Sequence, residues 1–244
     1  MQHVDLAGGR MGILVSRSKD ADPILLVIDR DQLAWSRPRP IGGITPPFVK
    51  LAIAPRPDGG VALFGYVAAL HILAARMWAE SGDPYADIEL ATIDACDSLS
   101  AAYGSGLGWI VACASRSGTR VQRLREDGAT AWGPGGSPVG LASEVGAAAI
   151  AFDTPQTWMM LQRAKGVGFD RLLAWRFDAR AEPIWASAAN VGALPSKIRP
   201  ASDERFEVSA GEGLVRVELP RGLAGKDAKA ADVAPDGGVQ WITR

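Results

Sequence analysis

The chain has 244 residues, with 26 basic against 27 acidic side chains and a net charge of −1. Hydrophobic residues make up 48% and charged ones 22%, the profile of a globular protein long enough to bury a full core. That balance excludes a polybasic nucleic-acid binder or membrane-surface protein, and only two His and two Cys stand beside eight Trp.

Residues 1–9 lack the basic start and apolar stretch of a secretory signal, and the longest apolar runs fall far short of the roughly 20 residues that cross a bilayer. The expectation is a cytoplasmic protein without membrane insertion, able to join an exported or particle-bound assembly. Cys96 and Cys113 have no C-x-x-C spacing and no accompanying His, and they read as two reduced thiols.

In chain order, the first strand candidates are HVDLAGG and MGILVSR, followed by LLVIDRDQLAW ending at Trp35. Next come VKLAIA and VALFGYVAA, joined by a turn at residues 55–60, and then LHILAARMW ending at Trp78. LSAAYGSG, GWIVACAS and VQRLREDGATAW lead to Trp132; AAAIAFDTPQ, TWMMLQRA and LLAWRFDARAEPIW lead to Trp185. FEVSAGEG, LVRVEL and ADVAPDGGVQW lead to Trp241. Asp-Gly and Gly-Gly pairs supply the positive φ that tight hairpin turns require.

Five phrases ending in Trp about 50 residues apart match the period of propeller blades built from four strands each. The runs ILLVI, VALFGYVAA, GWIVACA and WMML do not alternate with polar residues, as befits sheets covered on both faces. The sequence therefore predicts an all-β, five-bladed β-propeller with four antiparallel strands per blade. The blades fall near 1–40, 41–85, 86–137, 138–190 and 191–244, in a single domain. Residues 2–7 form the inner strand of the first blade and residues 239–243 the outer strand of the last, so that closure rests on side-chain packing.

Residues 120–139, RVQRLREDGATAWGPGGSPV, resemble the Q-R-L-x-x-D-G-x-x-x-W-G repeat of uncharacterised bacterial β-propeller proteins. The matching positions are Gln122, Arg123, Leu124, Asp127, Gly128, Trp132, Gly133 and Gly136. The pattern weakens at residues 173–185, where Asp178-Ala179 replaces Asp-Gly. The resemblance implies a fold and brings no catalytic residues with it.

No catalytic signature emerges from the residues. Nucleophilic triads need an available His, yet His3 is terminal and His71 lies in an apolar stretch that reads as core. Metal-ligand spacing and cofactor fingerprints are missing, and the Gly-rich stretch at residues 104–108 reads as a strand-to-strand turn. The carboxylates Asp5, Asp153 and Glu207 do not share one repeat position, as a funnel glycosidase would require. Trp109 and Trp158 open the second strands of their blades and are candidate platforms for a glycan.

Residues 79–98 carry six acids and no Lys or Arg, and read as a long connection with Asp83, Asp87, Glu89 and Asp94 as candidates for docking a basic partner. Residues 195–205 and the stretch Ser36-Arg37-Pro38-Arg39-Pro40 read as basic linkers. The expected function is a non-catalytic interaction module in a larger bacterial or phage-like assembly, with another protein as partner and no cofactor. A glycan-binding propeller is the alternative, and a glycosidase the third.

Overall fold

The computed structural model describes residues 2–15, 23–38, 48–140, 148–165, 170–190, 195–202, 205–210, 213–218, 229–233 and 239–241. Its strands form antiparallel meanders. The first sheet is β1 (Gln2–Asp5), β2 (Arg10–Val15), β3 (Ile24–Asp29) and β4 (Gln32–Pro38). The second is β5 (Lys50–Pro55), β6 (Val61–Val67), β7 (Ile72–Trp78) and β8 (Pro84–Thr92). The third is β9 (Ser98–Gly104), β10 (Gly108–Ser115), β11 (Gly118–Leu124) and β12 (Ser137–Val139). The fourth is β13 (Ala148–Thr154), β14 (Thr157–Lys165), β15 (Asp170–Phe177) and β16 (Pro183–Asn190).

The last sheet has five strands: β17 (Pro195–Ser202), β18 (Arg205–Ala210), β19 (Gly213–Glu218), β20 (Lys229–Val233) and β21 (Val239–Trp241). The first strands follow one another through the molecule, β1 against β5, β5 against β9, β9 against β13 and β13 against β17. The first strands of the five sheets thus form one continuous row.

The non-alternating runs have a direct physical cause. Along β6, Val61, Leu63 and Val67 enter the core shared with the first sheet, while Ala62, Phe64 and Tyr66 enter the core shared with the third. Along β10, Trp109, Val111 and Cys113 face the second sheet, and Ile110, Ala112 and Ala114 face the fourth. Successive side chains of a strand point to opposite faces, so a strand between two cores must be apolar at every position. Close approach also excludes side chains. A Cβ at Gly65 would lie 2.2 Å from the Phe48 ring, and one at Gly104 would lie 2.3 Å from Phe152.

Polar groups tie neighbouring sheets together. The buried Arg10 guanidinium donates to Glu80 Oε1 at 2.8 Å and to the Glu80 carbonyl at 3.0 Å. Trp35 Nε1 donates to the same carbonyl at 3.1 Å, and Arg37 to the Gly82 carbonyl at 2.6 Å. Trp109 Nε1 donates to the Pro55 carbonyl at 2.8 Å, joining the third sheet to the second. Between the third and fourth sheets, Gln162 Nε2 donates to Thr119 Oγ1 at 3.1 Å.

Four sequence expectations are corrected. The acidic stretch is not a loop: residues 84–92 are β8, the outer strand of the second sheet, so the boundary placed at 85 moves beyond Thr92. Ser36-Arg37-Pro38 belongs to β4 rather than to a linker, and positions 39 and 40 lie outside the described residues. Residues 195–202 are the first strand of the last sheet, which makes FEVSAG its second. The outermost strand of that sheet is Val239–Trp241, as expected, but as a fifth strand; positions 242 and 243 lie outside the described residues.

The Trp repeat also shifts by one strand in the second sheet. Trp35 pairs with Val27 and Trp185 with Arg176, each one step past a β-bulge. The same step in the second sheet pairs Ala86 with Met77, whereas Trp78 ends β7 opposite Pro84, as Phe177 ends β15 opposite Pro183. Trp78 is therefore a core residue of the third strand, and Ala86 holds the repeat position. Trp35 packs forward onto Trp78 with ring centroids 6.4 Å apart, and Trp132 onto Trp158 at 6.2 Å.

Two predictions follow from this packing. Trp158→Ala, which empties a fully buried site, costs about 3–5 kcal/mol in urea unfolding, and Trp132→Ala, half-buried, costs distinctly less. Tyr103 donates to Glu126 Oε1 at 2.5 Å, and its phenol is pushed up to about 12, by burial first and then by this hydrogen bond and the Glu126 charge. A raised folded pKa gives stability that is complete below the unfolded value of about 10 and is lost as pH rises through the folded one. Alkaline unfolding of Tyr103→Phe therefore shows a shallower fall in stability between about pH 10 and 12 than the wild type.

Candidate functional site

The acidic candidates separate into two places. Asp87 and Glu89 are exposed on one face of β8, two positions apart, and Asp83 is exposed in the turn that precedes this strand. Asp87 is already engaged: the buried Arg76 on β7 grips it from the paired position, Nε to Oδ1 at 2.5 Å and Nη2 to Oδ2 at 2.7 Å. Asp83 accepts a hydrogen bond from the Ser81 hydroxyl at 2.7 Å. The turn carrying these acids is the one held by Arg10, Trp35 and Arg37 from the first sheet, so the acidic edge is rigidly presented.

Asp94 lies apart, in the connection from β8 to β9. Its carbonyl accepts from Tyr66 Oη at 3.0 Å and lies 2.9 Å from His71 Nδ1. Burial, reinforced by the Asp94 charge, holds the Tyr66 phenol above its ordinary value. His71 is not core filler: it is exposed at the β6–β7 turn with φ of 56°, a left-handed conformation that closes the short helical turn Ala68–Leu70 before β7. The reversal there carries no Gly or Pro, and for that reason the stretch reads as continuous strand. The Gly-rich turn is as expected, with Leu107 N donating to the Gly104 carbonyl at 3.1 Å.

Asp94 borders a cavity of about 440 Å³ between the third and fourth sheets. From the third sheet it is lined by Ser115, Ser117 and Arg120, and from the fourth by Trp175 and Phe177. Trp175 and Phe177 share a face of β15, with ring centroids 6.1 Å apart. Ser115 Oγ lies 2.8 Å from Ser117 Oγ, and Arg120 donates to the Gly135 carbonyl at 3.2 Å. Of this lining the sequence singled out only Asp94 and Cys113, and neither as part of a cavity.

Trp109 and Trp158 cannot serve as glycan platforms. They are 4% and 0% exposed, and their indole N–H groups are spent on the Pro55 and Asp178 carbonyls. Asp5 is exposed at the end of β1, Asp153 lies on β13, and Glu207 lies on β18, a second strand rather than an inner one. His3 is exposed on β1. Among the described residues no three His, Cys, Asp or Glu cluster as metal ligands, and no helix is long and apolar enough to cross a membrane.

The cysteines differ from expectation. Cys96 and Cys113 form a disulfide with Cα atoms 5.4 Å apart. The β9–β10 hairpin folds the intervening chain back on itself and sets Cys113 opposite Leu99, beside the segment that precedes β9. Sequence spacing alone hid this proximity. The bond fastens the connection containing Asp94 to β10 at the cavity wall.

No family model matches the chain, and no curated protein matches it. Among solved structures it is similar to virginiamycin B lyase from Staphylococcus aureus, at 12% identity, covering 99% of this chain and 87% of that one, with a TM-score of 0.52. It is also similar to an alpha-L-arabinofuranosidase from Clostridium thermocellum, at 11% identity, covering 99% and 93%, with a TM-score of 0.50. A protein of unknown function from Bacteroides caccae is 16% identical, covering 98% and 79%, with a TM-score of 0.49. The first two likenesses extend over nearly the whole chain and show a β-propeller-like fold, and at such identity they show nothing of chemistry.

Opening the Cys96–Cys113 bond, by reductant or by Cys96→Ser/Cys113→Ser, lowers unfolding stability by about 3 kcal/mol, the value for a loop of this order. Thiol titration of the denatured, unreduced protein yields no free thiol.

Proposed function

We propose that the chain is a five-bladed β-propeller that acts as a non-catalytic interaction module, an accessory subunit docking a basic surface of another protein. The ring reading is supported by the serial packing of β1, β5, β9, β13 and β17 and by five successive antiparallel sheets. In a closed ring the first sheet packs against the last.

The observation that carries the docking reading is the outer edge of the second sheet. Asp83 and Glu89 stand exposed beside the Arg76–Asp87 pair on a strand whose turn is clamped to the first sheet. Carboxylates on a clamped edge attract a basic surface, and the attraction is screened by salt. The same charges keep an open strand edge from pairing indiscriminately with other strands.

The test is native mass spectrometry of the tagged chain purified from its source at low and at high salt. The expected result is a complex that dissociates at high salt and is lost from Asp83→Asn/Glu89→Gln, with the melting temperature unchanged. A chain that is monomeric at low salt, or a complex indifferent to the double variant, overturns the reading. Asp87→Asn differs in kind: it leaves the buried Arg76 without its carboxylate and destabilises the fold by about 1 kcal/mol or more.

A further inference from the structure

The Cys96–Cys113 bond joins a surface connection to a buried strand, and its two sulfurs are differently placed. Cys113 is 1% exposed on β10, where it borders the cavity. Cys96 is 6% exposed and sits between the exposed Ala95 and Asp97. Each sulfur also stands near a backbone carbonyl, Cys96 Sγ 3.4 Å from that of Ser98 and Cys113 Sγ 3.3 Å from that of Ala95. A disulfide sulfur has no hydrogen to donate, whereas a thiol is a weak donor. The same backbone, with Cα atoms 5.4 Å apart, thus suits the bonded pair and offers each free thiol an acceptor.

The connection does not depend on the bond for its position. Ile93 N donates to the His71 carbonyl at 2.7 Å, and Asp97 N to the Ala114 carbonyl at 2.8 Å. Between them the Asp94 carbonyl accepts from Tyr66 Oη at 3.0 Å. The bond also closes a segment that the β9–β10 hairpin already folds back, because Cys113 pairs with Leu99 just past Cys96. Opening it therefore frees the corner at Ala95 and Cys96 and leaves the hairpin and both ends of the connection tied. Asp94 and Ala95 belong to the cavity wall, so the change is felt there.

We propose that Cys96 and Cys113 are a reversible redox couple, which fixes this corner of the cavity wall when oxidised and frees it when reduced, without unfolding the chain. The reductant is a low-molecular-weight thiol and the oxidant its disulfide. In reduction a thiolate attacks Cys96 Sγ, the sulfur nearer to solvent; the Cys96–Cys113 bond breaks, and Cys113 leaves as a thiolate that takes up a proton. A second thiolate attacks the external sulfur of the mixed disulfide and releases Cys96, which is protonated in turn. The pair has then gained two electrons and two protons, and two small thiols have become one disulfide. Oxidation runs the same steps in reverse. The couple stands apart from the docking edge, since neither Asp83 nor Glu89 lines the cavity.

The test equilibrates the folded chain, starting oxidised and starting reduced, in glutathione buffers of graded ratio, with alkylation and mass measurement of the thiols. Both starting states are expected to reach the same oxidised fraction at each ratio, with the circular dichroism of the native fold kept. Hydrogen exchange at the Asp97 amide is expected to be about tenfold faster in the reduced chain and in Cys96→Ser/Cys113→Ser than in the oxidised chain. Cys113→Ser, which keeps Cys96, is expected to take up one glutathione from its disulfide, and Cys96→Ser none. A bond that opens only in denaturant or with loss of the native fold overturns the proposal. So do thiols that fail to join, a Cys96 that takes up no glutathione, or equal Asp97 exchange in the two states. If Cys113→Ser does not fold, the equilibration from both sides decides.

Discussion

Burial of the middle strands on both faces is the constraint from which the rest of the structure follows. β6 and β10 each stand between two cores, and neither tolerates a polar side chain without a partner. A strand in that position has no solvent face to carry charge, so charge is exported to the outer strands and the turns. The acids of β8 and of the turn before it occupy such positions. The middle strands β6 and β10 are buried along their length, and the exposed acids lie on β8 and the turn before it.

Apolar packing alone does not set how one sheet sits on the next, because it is non-directional. In this protein alignment is set by side chains that leave their own sheet to bond backbone carbonyls of a neighbour. Arg10, Trp35 and Arg37 bind the turn of the second sheet, and Trp109 binds the end of β5. Gln122 shows the same device in full. It is wholly buried, its Nε2 donates to the Leu90 and Gly133 carbonyls, and its Oε1 accepts from Trp132 N. Carbonyls are present whatever the side chain, so such ties survive sequence drift in the partner sheet.

The strands with continuous apolar runs were legible because their composition follows from double burial. The Gly-marked turns were legible because positive φ restricts the residue type. β8 was not, although Ala86, Ile88 and Leu90 alternate with Asp87 and Glu89 as a half-exposed strand should. Its density of carboxylates resembles a solvated loop, and the buried Arg76 that answers Asp87 lies on another strand. His71 hid a turn because a non-glycine residue adopts the left-handed conformation there. The disulfide was hidden because a hairpin shortens a distance that sequence spacing lengthens. The cavity was the least legible feature, since Trp175 is one more apolar residue in a strand until the sheet opposite is in place.

That opposite sheet explains why a cavity exists at all. The outer strand of the third sheet, β12, has three residues, against seven in β4, nine in β8 and eight in β16. The chain spends the intervening length on the Gly-Pro-Gly-Gly turn at residues 133–136, where small residues fill little volume. β12 itself borders the cavity through Pro138 and Val139, and Trp175 stands opposite on the fourth sheet. The polar groups at the opening come from the third sheet and the connection before it, and the aromatic wall from the fourth, so neither sheet shows the cavity's chemistry alone.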